Sequence, residues 1–420
     1  MSNRNNFISL VAGEAFWGMA MGLVLTSTVL AVFLKENGAG LAMIGSISSI
    51  ESGVGGSLQL VGLFLFTSRR KRKHQVLGWH LYAVVPFLLM NATLASAASH
   101  LPPVVVRWSA LMFYGGYMAA LGVVGGAFMD WLAHVFSERE RGTVLGTSIC
   151  FAGLASMGGS ILAGRLIGLH PAPNAYAYLY FGAAMTAIIS VLIYWRVDDS
   201  PLEQTEDSPR PTSEDVKRYL HASLSNLNFR CFLVSRSLAT IGFCMVPFIT
   251  VHFMSSDGGG LSSDIVVTCG SAIAVGWAAS SFVFGRLGDR AGHAIGLFLG
   301  LVIQVATLAV LLWGGGKWGC VTAFAGAGVC LGAGLVSYYN ALMETCPHDN
   351  RFAHITIGNF IIGLVGIIAP LLGGIVAERW GVRTLFMSCF TISIIGLVWH
   401  ALFVREPRRE LSLAEMLLKM

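Results

Sequence analysis

Apolar residues along this chain gather into runs of about twenty, divided by short polar breaks. The runs cover residues 8–34, 41–67, 75–98, 104–133, 142–168, 176–195, 231–254, 264–285, 293–313, 318–344, 352–377 and 384–404. A bilayer core about 30 Å thick takes roughly 20 residues of helix to cross, so the pattern predicts twelve transmembrane helices. Only helices and closed barrels satisfy their backbone groups in lipid. The alternating period of barrel strands is missing and the runs are about twice a strand's length, which leaves a helical bundle. The first run holds Glu14 and is too long for the apolar region of a signal peptide, so no cleaved leader is expected.

Composition agrees: 55% of residues are hydrophobic and only 12% charged, where a soluble domain carries about 25% charged residues. The net charge of +5 matters less than its placement. Lys and Arg collect in alternate loops: residues 69–73 after the second run, Arg139 and Arg141 after the fourth, Arg210, Lys217 and Arg218 after the sixth, and Arg405, Arg408 and Arg409 after the last. The positive-inside rule then places both termini in the cytoplasm of a plasma (bacterial inner) membrane. Trp108, Trp313 and Trp318 fall at one membrane interface and Trp79, Trp131 and Trp195 at the other, as aromatic belts would.

The stretch "VDDSPLEQTEDSPRPTSEDVKRYLHASLSN" (197–226) is polar and rich in Pro and Ser. It reads as a linker, with "SEDVKRYLHASL" as a helix on the membrane surface capped by Ser213. The chain thus divides into a six-helix half at 1–196, a linker at 197–229 and a second half at 230–420. An internal repeat supports the division. "FLKENGAGL" from Phe33 matches "FMSSDGGGL" from Phe253 at an offset of 220, which also carries Gly22 onto Gly242. Farther on, Arg141, Gly153 and Gly164 map to Arg351, Gly363 and Gly374 at an offset of 210.

Two six-helix halves around a polar linker, with "FGRLGDRAGH" (284–293) between helices 8 and 9, resemble the major facilitator superfamily. The loop is similar to that family's G-x-x-x-D-R-x-G-R-R signature, with Gly285, Asp289, Arg290 and Gly292 in the matching places and His293 departing from the usual base. The loop after helix 2, "TSRRKRKH", is basic but lacks the acid and the glycines. The resemblance implies an all-α membrane protein of twelve helices in two pseudo-symmetric halves. It also implies a secondary active transporter that moves a small organic solute by alternating access, with proton symport as the expected coupling. It further implies a conformational lock, in which Asp289 faces the start of helix 5 near Gly142 and Arg290 reaches Glu344 at the end of helix 10. Asp130, near the end of helix 4, falls on Asn340 in the repeat and reads as structural, paired with a base such as Arg69 or Arg72.

Ionisable groups inside membrane helices mark transport pathways by default. Glu51 shares a polar stripe in helix 2 with Ser48, Ser52, Gly55 and Gln59, and Glu14 in helix 1 shares a face with Gly18 and Gly22. Either carboxyl is a candidate to bind and release a proton during a cycle, or else a fixed structural acid. Arg236 in helix 7 keeps its charge and needs an anion, either Glu14 at similar depth or a substrate carboxylate or phosphate. Among the intramembrane aromatics Trp17, Tyr114, Tyr117, Trp277, Tyr338 and Tyr339, the phenols Tyr117 and Tyr339 are favoured as cavity groups, with Asn340 beside them. Trp17 and Trp277 are kept as weaker candidates.

Other chemistry is scarce. The eight cysteines form no C-x-x-C pair, so no disulfide framework, metal site or cofactor is expected. "HExxH" and "GxSxG" are missing, which argues against an enzyme. "GAGVCLGAG" in helix 10 reads as close helix packing, and the "NAT" at Asn91 lies inside helix 3. The expected partners are a small-molecule substrate, protons and the lipid bilayer, without nucleic acid, and the expected unit is a monomer. Two alternatives stay open. One is a non-transporting sensor or scaffold on the same fold. The other is a proton-driven exporter of amphipathic compounds, suggested by "GLVGIIAPLLGG" in helix 11, although helix 5 has Ser160 where Pro370 falls in the repeat.

Overall fold

The computed structural model describes residues 2–58, 61–62, 65–66, 71–136, 138–170, 172–199, 220–345, 351–406 and 411–412. Among the described residues, eleven helices are long and apolar enough to cross a membrane, and a twelfth, shorter apolar helix stands at the second run. In chain order they are α1 (Arg4–Glu36), α2 (Leu41–Val54), α3 (Arg72–His100), α4 (Pro103–Val135), α5 (Glu138–Leu169), α6 (Asn174–Tyr194), α7 (Leu227–Met254), α8 (Ser263–Ala291), α9 (His293–Trp313), α10 (Gly316–Glu344), α11 (Arg351–Trp380) and α12 (Val382–Phe403). The linker expected at 197–229 lies mostly outside the described residues, as does the proposed surface helix before residue 220.

Several helices are not straight, and the causes are local. Wide π turns interrupt α1 at Thr26–Leu30, α2 at Ile50–Val54 and α3 at His80–Val84. Such turns rotate the residues beyond them and often sit at functional places. Helix α7 breaks at Cys244 and Met245 and restarts with Pro247, whose missing N–H suits a first turn.

Within the first half α1 packs on α5 and α6, and α3 on α4 and α6; within the second, α8 packs on α10, α9 on α10 and α12, and α7 on α11 and α12. Between the halves the main contacts are α2 with α11 and α5 with α8. Lipid gives helices no hydrophobic reason to associate, so close approach of small residues carries such contacts. A side chain at Gly374 would put its Cβ 2.7 Å from Ala42 Cα, and one at Gly45 would meet the Pro370 carbonyl. Thr250 on α7 donates to the Ser27 carbonyl on α1 at 2.6 Å, and the Ala42 N–H donates to Glu378 at 3.3 Å. Twelve crossings bring both termini to one side, and all these contacts lie toward the other, so the halves are sealed on the side away from the termini.

On the terminus side each half closes on itself in the same way. Asn6 of α1 makes two reciprocal bonds with Asp198 just after α6, Nδ2 to the Asp198 carbonyl and the Asp198 N–H to Oδ1, both 2.8 Å. Asn228 of α7 repeats this with Arg405 just after α12, at 3.0 and 2.9 Å. The next residue also corresponds. Asp199 lies 3.7 Å from Lys73 near the start of α3, and Glu406 accepts from the Ala294 N–H at the start of α9 at 3.0 Å. Glu406 is 1% exposed, and an acid there meets the positive end of the α9 dipole. Gly292, in the signature loop, has φ +99°, and any side chain on it would strike the Glu406 carboxyl. Arg405–Glu406 then pairs antiparallel with Leu411–Ser412, a short return that the sequence did not suggest.

The tryptophans of the two predicted belts differ in exposure: Trp195 is 38% exposed, unlike Trp79 and Trp131 beside it in the prediction. Trp108, Trp313 and Trp318 are 63%, 67% and 81% exposed. Trp131 is fully buried against Phe128 and Tyr194, and Trp79 donates its indole N–H to the Ala120 carbonyl at 2.9 Å. These two indoles serve the core of the first half, Trp79 through its N–H and Trp131 through ring contacts.

Candidate functional site

A cavity of about 260 Å³ opens between the halves near mid-membrane. Three helices of the second half turn one face each toward it, at the i, i+4, i+7 spacing of a helical stripe. Helix α7 contributes Arg236, Thr240 and Phe243; α10 contributes Leu331, Leu335 and Tyr338; α11 contributes Asn359, Gly363 and Gly366. Gln304 of α9 and Ser52 of α2 complete the polar lining.

The polar groups hold one another in place. The Arg236 guanidinium lies over the Tyr338 ring, 5.1 Å from its centroid, a cation–π geometry. Tyr338 is stacked on Phe232 at 5.8 Å and donates its hydroxyl to Asn359 Oδ1 at 2.9 Å. Gly334 leaves room for the guanidinium, since a Cβ there would stand 3.0 Å from Arg236 Nη2. Gln304 donates its amide to the Ala239 carbonyl at 3.0 Å and to Ser393 at 2.9 Å, and Thr240 donates to the Arg236 carbonyl at 2.9 Å. Behind Arg236 a void of about 20 Å³, bounded by Ser235, Gln304 and Cys330, has room for one water. Ser235 in turn bonds His400 at 2.8 Å, and the other ring nitrogen of His400 donates to the Ala294 carbonyl at 3.0 Å.

On the first half, Glu51 and Ser52 are exposed on the π turn of α2, and the Glu51 charge acts on Tyr117 of α4. Tyr117 itself is 3% exposed, donates to Met21 Sδ at 3.1 Å and stacks on Tyr114. It belongs to the core behind Glu51 rather than to the cavity surface. Trp17 packs edge-on against His80 at 5.4 Å, and Trp277 is partly buried, its carbonyl accepting from Ser280. Neither lines the cavity. Asn340 donates to the Val336 carbonyl of its own helix at 2.7 Å.

The pairing of Glu14 with Arg236 expected from their depth is not formed. Glu14 instead hydrogen-bonds Tyr194 of α6, because the face of α1 bearing Gly13 and Glu14 packs on α6, where the Tyr194 ring fills the space beside Gly13. Ser190 reinforces this contact by donating to the Gly13 carbonyl at 2.8 Å. Arg236 faces α10 and the cavity. Gly18 and Gly22 do allow the close packing expected of them, against Ala152 and Ser156 of α5. The side chains of Asp130, Asp289, Tyr339 and Glu344 lie outside the described residues. Of the remaining lock residues, Arg290 is exposed, and a Cβ on Gly285 would meet Val336 at an ordinary 3.8 Å.

Sequence reasoning missed Thr240, Gln304 and Asn359, and it ranked Tyr338 below Tyr339, whose side chain lies outside the described residues. The signal available was the few polar residues inside each apolar run, and helical spacing from Arg236 does reach Thr240.

Two six-helix halves thus enclose a polar cavity that is sealed on one side. Residues 247–417 match a sequence model described as the Major Facilitator Superfamily, and solved transporter structures share the fold over nearly the whole length. The nucleoside transporter NupG, as its D323A mutant, superposes with a TM-score of 0.71 at 14% identity, covering 94% of this chain and 98% of that one. A bacterial homologue of the iron transporter ferroportin in an inward-facing state gives 0.66 at 16% identity, with coverage of 95% and 98%. A bacterial homologue of the human lysosomal transporter Spinster, inward-facing and unoccupied, gives 0.63 at 13%, with coverage of 97% and 98%. No curated protein matches the sequence.

Proposed function

We propose that the protein is a secondary active transporter that carries a small organic solute across the membrane by alternating access, coupled to protons. The observation that carries this reading is the mid-membrane cavity, lined with oriented polar groups and closed on one side by glycine contacts between the halves. Polar groups inside a membrane are costly, and a cavity built from them is accounted for by a solute that enters and leaves. In this reading 1–196 and 230–420 rock against each other about the contacts of α2 with α11 and α5 with α8, and the segment 197–229 ties them. With both termini cytoplasmic, the conformation described is inward-facing. Glu51, exposed on α2 next to the cavity-lining Ser52, is the proposed proton carrier.

Counterflow in proteoliposomes tests the reading. Purified protein, preloaded with a solute that raises its melting temperature, is expected to accumulate the labelled solute transiently. Binding with no counterflow would assign the fold to sensing or scaffolding instead.

A further inference from the structure

We infer that the seam between α5 and α8, where the two halves meet, binds an anionic phospholipid whose phosphate is held by Arg286 and Arg290 of α8. The site goes beyond the transport reading and does not need it. The first observation is an exposed face of α8. Val275, Ala279, Phe282 and Arg286 are exposed at i, i+4, i+7 and i+11, one stripe of a helix, and Arg290 continues it. The opposite side of α8 packs inward, with Gly270 against Thr28 of α1, so the stripe looks out into lipid. Its edge runs along the seam. Ala278 lies against Gly153 of α5, where an added Cβ would stand 3.1 Å away, and α5 exposes Cys150 and Leu154 beside it.

The second observation is the depth at which the stripe turns basic. Arg286 is 23 residues beyond Ser263, the start of α8, which at about 1.5 Å per residue is about 35 Å, just past a hydrocarbon core of about 30 Å. The guanidinium therefore stands among headgroups while Phe282, one turn earlier, is still among acyl chains. The long apolar stem of an arginine suits that boundary.

The third is that both cations are uncommitted and one is already oriented. The Arg286 guanidinium lies over the Phe282 ring, 4.0 Å from its centroid, a cation–π contact that restrains it. Among the described residues neither Arg286 nor Arg290 meets an acid. The bases at the start of α3 differ, since Arg72 donates to the Phe66 carbonyl at 2.6 Å and Lys73 lies 3.7 Å from Asp199. A guanidinium fork matches the paired oxygens of a phosphate, and the apolar stripe next to it matches an acyl chain. A phospholipid carries both. Its net charge must be negative, because a choline headgroup would bring a cation of its own to the two arginines.

Photolabelling tests this with the full chain in phosphatidylcholine nanodiscs. Phosphatidylglycerol or phosphatidylcholine with a diazirine in one acyl chain is added in trace amount, and labelled peptides are mapped by mass spectrometry. The phosphatidylglycerol probe should mark α8 around Val275 and Phe282, or α5 around Cys150 and Leu154, well above the choline probe. A base near an anionic surface is worth about fivefold in binding, so Arg286→Gln and Arg290→Gln should each cut the label about fivefold and together about 25-fold. Both side chains are exposed, so the melting temperature should match the parent. Arg196→Gln, which removes an exposed base just after α6, should leave the label at the seam unchanged. Equal labelling by the two probes, no label at the seam, a label that survives the double substitution, or one that falls as far in Arg196→Gln would each overturn the inference. Loss of the label to free glycerol 3-phosphate would overturn it too, since the arginines would then hold a soluble anion rather than a lipid.

Discussion

If the glycine contacts seal the side away from the termini, a single methyl group at Gly374 should reopen it. In the sealed state the added Cβ would stand 2.7 Å from Ala42 Cα and 3.1 Å from the Ala42 carbonyl oxygen. Both are backbone atoms, so relief requires α2 and α11 to separate. Overpacking of this kind costs about 1–3 kcal/mol. Only the sealed state bears the cost, and the ratio of open to sealed molecules should rise by about 5- to 150-fold. Spin labels at Leu169→Cys and Trp318→Cys, one on each half and 76% and 81% exposed in the native chain, report the separation by pulsed dipolar spectroscopy in a Cys150→Ser background. A longer-distance population should grow in Gly374→Ala. Gly363→Ala is the control, since nothing lies within 4 Å of its added Cβ, and its distribution should match the parent. An unchanged distribution in a Gly374→Ala protein that melts like the parent would refute the reasoning.

Three further expectations concern single residues. Glu51→Gln keeps size and hydrogen bonding but removes titration, so uptake driven by a proton gradient should stop while counterflow persists; gradient-driven uptake at the parent rate would remove Glu51 from the coupling. Glu14→Gln and Tyr194→Phe should couple by about 0.5–3 kcal/mol in a double-mutant cycle on folding stability, whereas Glu14→Gln and Arg236→Gln should be additive within about 0.5 kcal/mol. Glu406→Gln removes the charge from the start of α9 and should cost about 0.3–2 kcal/mol, seen as a lower melting temperature, and no change would show that the carboxylate adds nothing over a neutral acceptor.

The helix count and the two halves were legible because they depend on local quantities, the length of apolar runs and the spacing of loop charges. Gly292 was legible as part of a loop signature, but the reason only Gly fits there was not. That reason is Glu406, more than a hundred residues later, folded against the start of α9. The site resisted for a similar reason. Tyr338 and Tyr339 are about 100° apart around α10, and the rotation that turns Tyr338 to the cavity is set by its stack on Phe232 of α7. Depth alone made Arg236 a partner for Glu14, yet depth does not say which way a helix faces. Trp131 likewise sits at belt height in the sequence while packing decides its orientation.

The repeat bears on coupling through what the halves do not share. Both carry the Asn clasp that joins the first and last helices of each half. The cavity chemistry is one-sided. The offset of 220 carries Arg236 back onto Phe16 and Thr240 onto Ala20, and the offset of 210 carries Tyr338 onto Phe128 and Asn359 onto Ile149, all apolar. Conversely, the first half's Glu51 falls on Ser271 in the second. The permanent cation therefore belongs to one rigid half and the titratable acid to the other. Under the transport reading, any rocking of the halves changes the distance between Arg236 and Glu51, in a setting where charges act strongly on each other. On the proposal that Glu51 carries the proton, its occupancy would then be linked to the conformational state. Two charges on one half would move together and carry no such link.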